Sequence, residues 1–89
     1  MTLRTSLGLR ALADMWKFIF ESNVGLHGAP VWEAELADVG AAHIEAVKCF
    51  GEILRDAGGS FWALESAWLT ARRENGSLLF KLEMHAAAG

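Results

Sequence analysis

The sequence contains a single cysteine, Cys49, and a single proline, Pro30. One cysteine cannot form a disulfide within the chain, which fits a reducing compartment. No apolar run approaches the ~20 residues that a membrane-spanning helix requires, and the first residues lack the apolar stretch of a signal peptide. We therefore predict a cytoplasmic protein that does not enter the membrane.

Charge of one sign is also scarce, because 8 basic and 11 acidic residues are spread along the chain and leave a formal net charge of −3. A protein that binds nucleic acid needs a basic surface to replace the counterions of the phosphates. Arg72 and Arg73 form the one basic pair, and Glu74 follows them directly. We therefore expect no nucleic acid among the partners.

Apolar side chains, in contrast, are plentiful: 53% of the 89 residues are hydrophobic, including four tryptophans and five phenylalanines. A chain of this length forms one domain, residues 1–89, and its core is small. Such a core does not readily hide so many large apolar side chains. We therefore expect part of them to be buried against a second copy of the chain, in a homodimer.

Glycine-rich breaks divide the chain, and the first two segments have apolar residues at helical spacing. Those of the first segment predict a helix over residues 8–22: Leu9, Leu12, Trp16, Ile19 and Phe20. Alternation within residues 2–10 leaves open a short strand before this helix. The apolar residues of the second segment predict a long helix over residues 31–57: Trp32, Leu36, Val39, Ile44, Val47, Phe50 and Leu54. Gly58 and Gly59 should end this second helix.

The C-terminal part of the chain has the pattern of a β-hairpin, with strands over residues 62–73 and 78–86. Asn75 and Gly76 are the preferred pair for a two-residue type I′ turn. That turn places residues opposite each other when their numbers sum to 151. One face then holds seven apolar residues out of eight: Ala67, Leu69, Ala71 and Arg73 opposite Met84, Leu82, Phe80 and Leu78. Agreement across both strands favours an α+β fold of two helices followed by a hairpin.

An all-α helical bundle is the alternative fold. Residues 61–74 are rich in Ala, Leu, Glu and Arg, and Phe61, Leu64, Trp68 and Ala71 have helical spacing. Residues 78–85 fit a helix poorly, because Lys81 and Glu83 would separate the apolar positions. Whether residues 61–74 form a strand or a helix stays open at this point.

No combination of residues in the sequence is typical of an enzyme or a metal site. Gly58, Gly59 and Ser60 follow a helix, whereas a phosphate-binding loop precedes one. Cys49 lies in the middle of a predicted helix, where cysteine is usually a small apolar residue. The three histidines, at 27, 43 and 85, lie in separate segments. We therefore expect no catalytic residues, no metal and no cofactor.

Trp68, Leu79 and Glu65 are the candidate interface residues. The hairpin register puts Trp68 and Leu79 on the polar face of the hairpin, where an exposed tryptophan is typical of an interface anchor. Glu65 shares a face with Ala67 and Leu69, so it points inward, lies beyond the strand or meets a partner.

These observations favour a small non-enzymatic interaction or regulatory protein that forms a homodimer and binds another protein. The alternative is a small-molecule-binding protein or minor enzyme with an aromatic pocket between helix and sheet.

Trp68 allows a direct test of the interface hypothesis. If it anchors a second subunit or partner, Trp68→Ala should weaken association by about 2 kcal/mol or more. Leu82→Ala, on the inner face, should instead destabilise folding by about 2–5 kcal/mol. Sedimentation and urea unfolding measure the two effects. Loss of folding in Trp68→Ala with intact association would place Trp68 in the core.

Overall fold

The computed structural model describes residues 15–64 and 66–86. They form, in order, strands β1 (Trp16–Leu26) and β2 (Ala29–Leu36), helices α1 (Val39–Ala57) and α2 (Ser60–Leu64), and strands β3 (Ser66–Arg73) and β4 (Leu78–His85). The four strands make an antiparallel sheet in the order β2-β1-β3-β4. The predicted α+β class is confirmed, whereas the number and order of elements differ and the all-α alternative is wrong.

Residues 16–22 were predicted to be helical and belong instead to strand β1. Phe18 and Phe20 are 1% and 0% exposed, whereas the residues between and beside them are less buried. This alternation has the period of two that a strand requires. The helical prediction matched Trp16, Ile19 and Phe20 but gave Phe18 no place in the core. Residues 8–14 of the predicted helix, and the optional strand in residues 2–10, lie outside the described residues.

The long helix predicted over residues 31–57 is in fact a strand followed by a helix. Residues up to Leu36 form β2, and α1 begins at Val39. Trp32 and Leu36 were misleading because a spacing of four residues fits both a helix and one face of a strand. Asp38 separates the two elements, because its carboxylate accepts the N–H of Ala41 at 2.7 Å and caps α1. The predicted end of the helix at Gly58 is confirmed.

The face of α1 that packs on the sheet carries smaller side chains than the sequence suggested. Its buried residues are Ala42, Ala46, Cys49, Phe50 and Ile53. Ile44 and Val47, predicted to lie in the same stripe as Phe50, are 73% and 64% exposed. The small alanine side chains allow α1 to lie close to Phe18 and Phe20 in the core cluster. The helix is therefore oriented with its small residues towards the sheet.

The β1–β2 hairpin was missed, although it contains a tight turn. Leu26 pairs with Ala29, and the two residues between them have positive φ, 49° at His27 and 83° at Gly28. Two consecutive positive φ values are characteristic of a type I′ turn. Histidine is unusual in this position, so the segment lacks the Asn-Gly pattern that would have indicated the turn.

The β3–β4 hairpin is confirmed, with a different turn. Residues Ala67 to Ala71 pair in the predicted register, from Ala67 with Met84 to Ala71 with Phe80. Only Gly76 has positive φ in the turn, at 93°, and the N–H of Arg73 donates to the carbonyl of Ser77 at 2.9 Å. The loop therefore has three residues, with a bulge at the glycine, rather than two.

Leu79 compensates for this longer loop. Arg72 pairs with Leu78, and not with Leu79 as predicted, so one extra residue of β4 restores the register before Phe80. The N-terminal boundary of the hairpin also shifts, because residues 62–64 belong to α2 and β3 begins at Ser66.

β3 pairs with β1 on its other side, so the hairpin has one open edge rather than two. The regular pairing of β1 with β3 ends at Ser22, and beyond it the side chain of Asn23 makes the hydrogen bonds to β3. Its Nδ2 donates to the carbonyl of Ser66 at 3.2 Å, and its Oδ1 accepts the N–H of Trp68 at 2.9 Å. β1 and β3 are the two central strands of the sheet.

Two glycines in open space separate the effect of backbone conformation from that of packing. A Cβ at either Gly76 or Gly51 would meet no atom within 4 Å, but only Gly76 has positive φ. Gly76→Ala should therefore destabilise the protein by about 1–2 kcal/mol. Gly51→Ala, in the middle of α1, should stabilise it by about 1 kcal/mol. Urea unfolding measures both, and changes of the same sign would contradict the backbone explanation.

Candidate functional site

Trp68 lies on the sheet face opposite α1, as the register predicted. Its side chain is half-buried, Glu83 is its partner on β4, and the ammonium of Lys81 lies 5.6 Å from the ring centroid. Leu79 is also half-buried and packs against the core cluster. Glu65 lies outside the described residues. The role of these three residues in an interface stays a prediction.

His27 and His43 make contacts in two different places. His27 Nε2 lies 3.4 Å from a Glu52 oxygen, and His27 Nδ1 lies 3.7 Å from an Asp56 oxygen, which ties the first turn to the end of α1. His43 packs edge-on against Phe80, with ring centroids 4.6 Å apart. The two nitrogens of His27 face different carboxylates, so this group does not converge on one point.

Within the described ranges, 15–64 and 66–86, no group of three or more His, Cys, Asp and Glu side chains is arranged to hold a metal ion. In the same part of the chain, no helix is both long and apolar enough to cross a membrane.

Cys49 is buried in the core, 4% exposed, on the side of α1 that faces β2 and Trp32. Burial, followed by the hydrogen bond from its Sγ to Glu45 Oε2 at 3.4 Å, raises the pKa of the thiol to about 11. The indole N–H of Trp32 makes no hydrogen bond of normal geometry within the described residues, although its proximity favours the thiolate slightly. A thiol in this environment stays protonated and is a poor nucleophile.

A depression near the β3–β4 turn is bordered by Trp16, Lys17, Arg73, Glu74 and Asn75. Lys17 Nζ lies 3.7 Å from Glu33 and 3.5 Å from Glu74, and these two carboxylates raise the pKa of Lys17. The carboxylates already neutralise the lysine charge, so the depression is a weak site for an anion.

The exposed face of α1 is the most distinctive surface that the structure describes. Ile44 and Val47 lie one turn apart, and a shallow depression is lined by these two residues with His43 and Lys48. Gly51, one further turn along the helix, is exposed and has no side chain to fill the space beside Val47. We call Ile44, Val47 and Gly51 the apolar strip of α1. The strip cannot be predicted from the sequence, because Ile44 and Val47 have the spacing of a buried face.

The described elements define a small α+β protein in which two β-hairpins pair through β1 and β3, with one long helix between them. A family model, Domain of unknown function (DUF6894), matches residues 33–85. This match covers more than half of the chain, so the chain belongs to that family. Comparisons with curated proteins and with solved structures find no match.

Cys49 should make stability depend on alkaline pH. The folded protein holds the thiol proton more tightly than the unfolded chain, whose cysteine pKa is about 8.5. The free energy of unfolding should therefore be unaffected by this group below about pH 8 and should fall as the pH rises towards 11. Urea unfolding at pH 7, 9 and 10 measures this decline.

Cys49→Ala is the control, because it removes the thiol and keeps Lys17, whose raised pKa also lowers stability at high pH. The variant should lose less stability between pH 7 and 10 than the natural chain. Equal losses in the two proteins would contradict the assignment to Cys49.

Proposed function

We propose that the protein is a small non-enzymatic interaction protein that works as a homodimer and binds another protein. The observation that carries the proposal is the exposure of Ile44 and Val47, at 73% and 64%, on the outer side of the only long helix that the structure describes. Burying each of these side chains in a complex is worth about 1.5–3 kcal/mol.

The shape of the apolar strip favours a protein partner. A glycine beside exposed Ile and Val side chains lets the backbone of another element approach α1 closely. Nothing inside the described structure requires glycine at position 51, where a Cβ would meet no atom within 4 Å. An exposed glycine in mid-helix costs about 1 kcal/mol relative to alanine. A binding partner that fits against Gly51 would account for it.

The positive charge of Lys48 beside the strip indicates the chemistry of this partner. Lys48 borders the strip together with the imidazole ring of His43. Oppositely charged groups at the rim of an interface guide association and set its orientation. We therefore expect a partner segment with apolar residues at its centre and acidic residues at its margin.

The alternative function requires an aromatic pocket between helix and sheet. Phe18, Phe20 and Phe50 occupy that space, together with the alanines of α1, in one buried cluster. The two depressions described above lie near the β3–β4 turn and on the outer face of α1. A small-molecule site between the layers therefore ranks second.

A photo-crosslinking amino acid at position 44 tests the proposed binding surface in cells. We expect an adduct of one discrete mass, larger than a dimer of the 9.7 kDa chain, since Ile44 would lie in the interface. Val47→Glu in the same chain should abolish the adduct, because a carboxylate cannot be buried there unpaired.

Asp56 provides the matched control, because it lies on the same helix, on the side that contacts His27 and is turned away from the strip, and its side chain is 50% exposed. The crosslinker at position 56 should give no such adduct. Equal adducts from both positions would indicate random capture and contradict the proposal. Adducts formed only between two copies of the chain would assign the strip to self-association instead.

A further inference from the structure

Strand β4 is an edge of the sheet, and its outer side is unpaired among residues 15–64 and 66–86. The opposite edge, β2, contains Pro30, which lacks an N–H and interferes with the pairing of another strand. β4 contains no proline over its eight residues. An unblocked edge strand readily accepts a further strand.

The face of β4 that lies on the helix side is only partly covered. Its apolar residues, at alternate positions, are Phe80, Leu82 and Met84; Leu78 pairs with Arg72 beyond the bulge and lies on the other face. Met84 is 42% exposed, and Phe80 and Leu82 are half-buried. His43 contacts Phe80 from α1. The helix packs mainly on β1 and β3, so this row of β4 keeps apolar surface in contact with water.

We infer that two copies of the chain pair through β4, antiparallel and centred on Leu82, to make a continuous eight-stranded sheet. This gives a surface and a register to the homodimer of the proposed function, on which it rests. Phe80 then lies opposite Met84 of the partner copy, and Leu82 lies opposite its own equivalent. The partly exposed apolar residues on the helix side of β4 in one copy then contact the same residues of the partner copy.

The charges of β4 favour this register over the two that are centred on its neighbours, Lys81 and Glu83. The two-fold axis that relates two antiparallel edge strands is perpendicular to the sheet, so both helices lie on the same side of it. One residue at the centre of the pair therefore lies opposite its own equivalent in the partner copy. Centring on Lys81 would put two lysines directly opposite each other, and centring on Glu83 would do the same with two glutamates. Centring on Leu82 places each Lys81 opposite a Glu83, twice. Directly opposed unlike charges stabilise a strand pair, and like charges destabilise it.

Lys81 and Glu83 lie on the face of β4 that is turned away from the helix, where both can reach a neighbouring strand. The Nζ of Lys81 lies 3.8 Å from Glu83 of its own chain and 5.6 Å from the centre of the Trp68 ring. Both charged side chains stay accessible, at 46% and 44% exposure. Trp68 lies on β3, inward of β4, so in the dimer the Lys81 side chain turns outward from this ring to reach Glu83 of the partner copy.

Charge reversal tests the register by sedimentation equilibrium. Lys81→Glu alone opposes Glu to Glu at two symmetric sites, and Glu83→Lys alone opposes Lys to Lys. Each single variant should dimerise at least about tenfold more weakly than the natural chain. An equimolar mixture of the two should recover dimerisation, because every opposed pair then has unlike charges. The double variant Lys81→Glu/Glu83→Lys should recover it by itself.

Glu35→Lys is the matched control, since it makes the same kind of change on the other edge strand and should leave the dimer intact. Recovery in the mixture would exclude misfolding as the cause of the weaker dimerisation. A misfolded single variant could not form a dimer with the other variant. Single variants that dimerise as well as the natural chain would overturn the β4 interface and leave the homodimer standing. A natural chain with the monomer mass of 9.7 kDa at tens of micromolar would overturn both the β4 interface and the homodimer.

Discussion

The close packing of α1 on the two phenylalanines of β1 is the contact on which the rest of the structure depends. Phe18 and Phe20 are fully buried in the centre of the sheet, and the alanines of α1 let the helix lie directly above them. Larger residues at positions 42 and 46 would lift the helix and open the core. This requirement fixes the rotation of α1, and the rotation in turn directs Ile44 and Val47 to the surface. The apolar strip is therefore a result of how the core is built.

The sequence predicted the second hairpin well because two independent signals agree there. The pairing of Ala67 through Ala71 with β4 could be derived from alternation and from a turn signal, even though the turn itself is of another type. The first hairpin had no such agreement. Its turn contains His27 in a left-handed conformation, and Trp32 and Leu36 have a spacing that both helix and strand satisfy. Tertiary contacts decided between the two periods, and those contacts cannot be read from spacing alone.

The candidate surfaces could be predicted only in part for a related reason. The excess of apolar residues was evident from composition, but its location depended on which face of α1 turned inward. The core selects small side chains where layers approach closely, so the large ones are displaced outward. The molecule therefore has two apolar surfaces, the edge strand and the outer face of α1, which meet at His43. One of them is complementary to itself in charge, and the other is bordered by Lys48 and His43.

The central position of β1 has a consequence for folding kinetics. Each hairpin closes between neighbours in sequence, whereas the side chain of Asn23 joins residues 43 and 45 positions away. The entropy of closing such a long loop is lost before the contacts of the central strands form. We therefore picture the two hairpins and α1 as early, local structures, and the joining of β1 to β3 as the slow step. Until that step, Phe18 and Phe20 stay in water, and the chain is most exposed to aggregation while it is being synthesised.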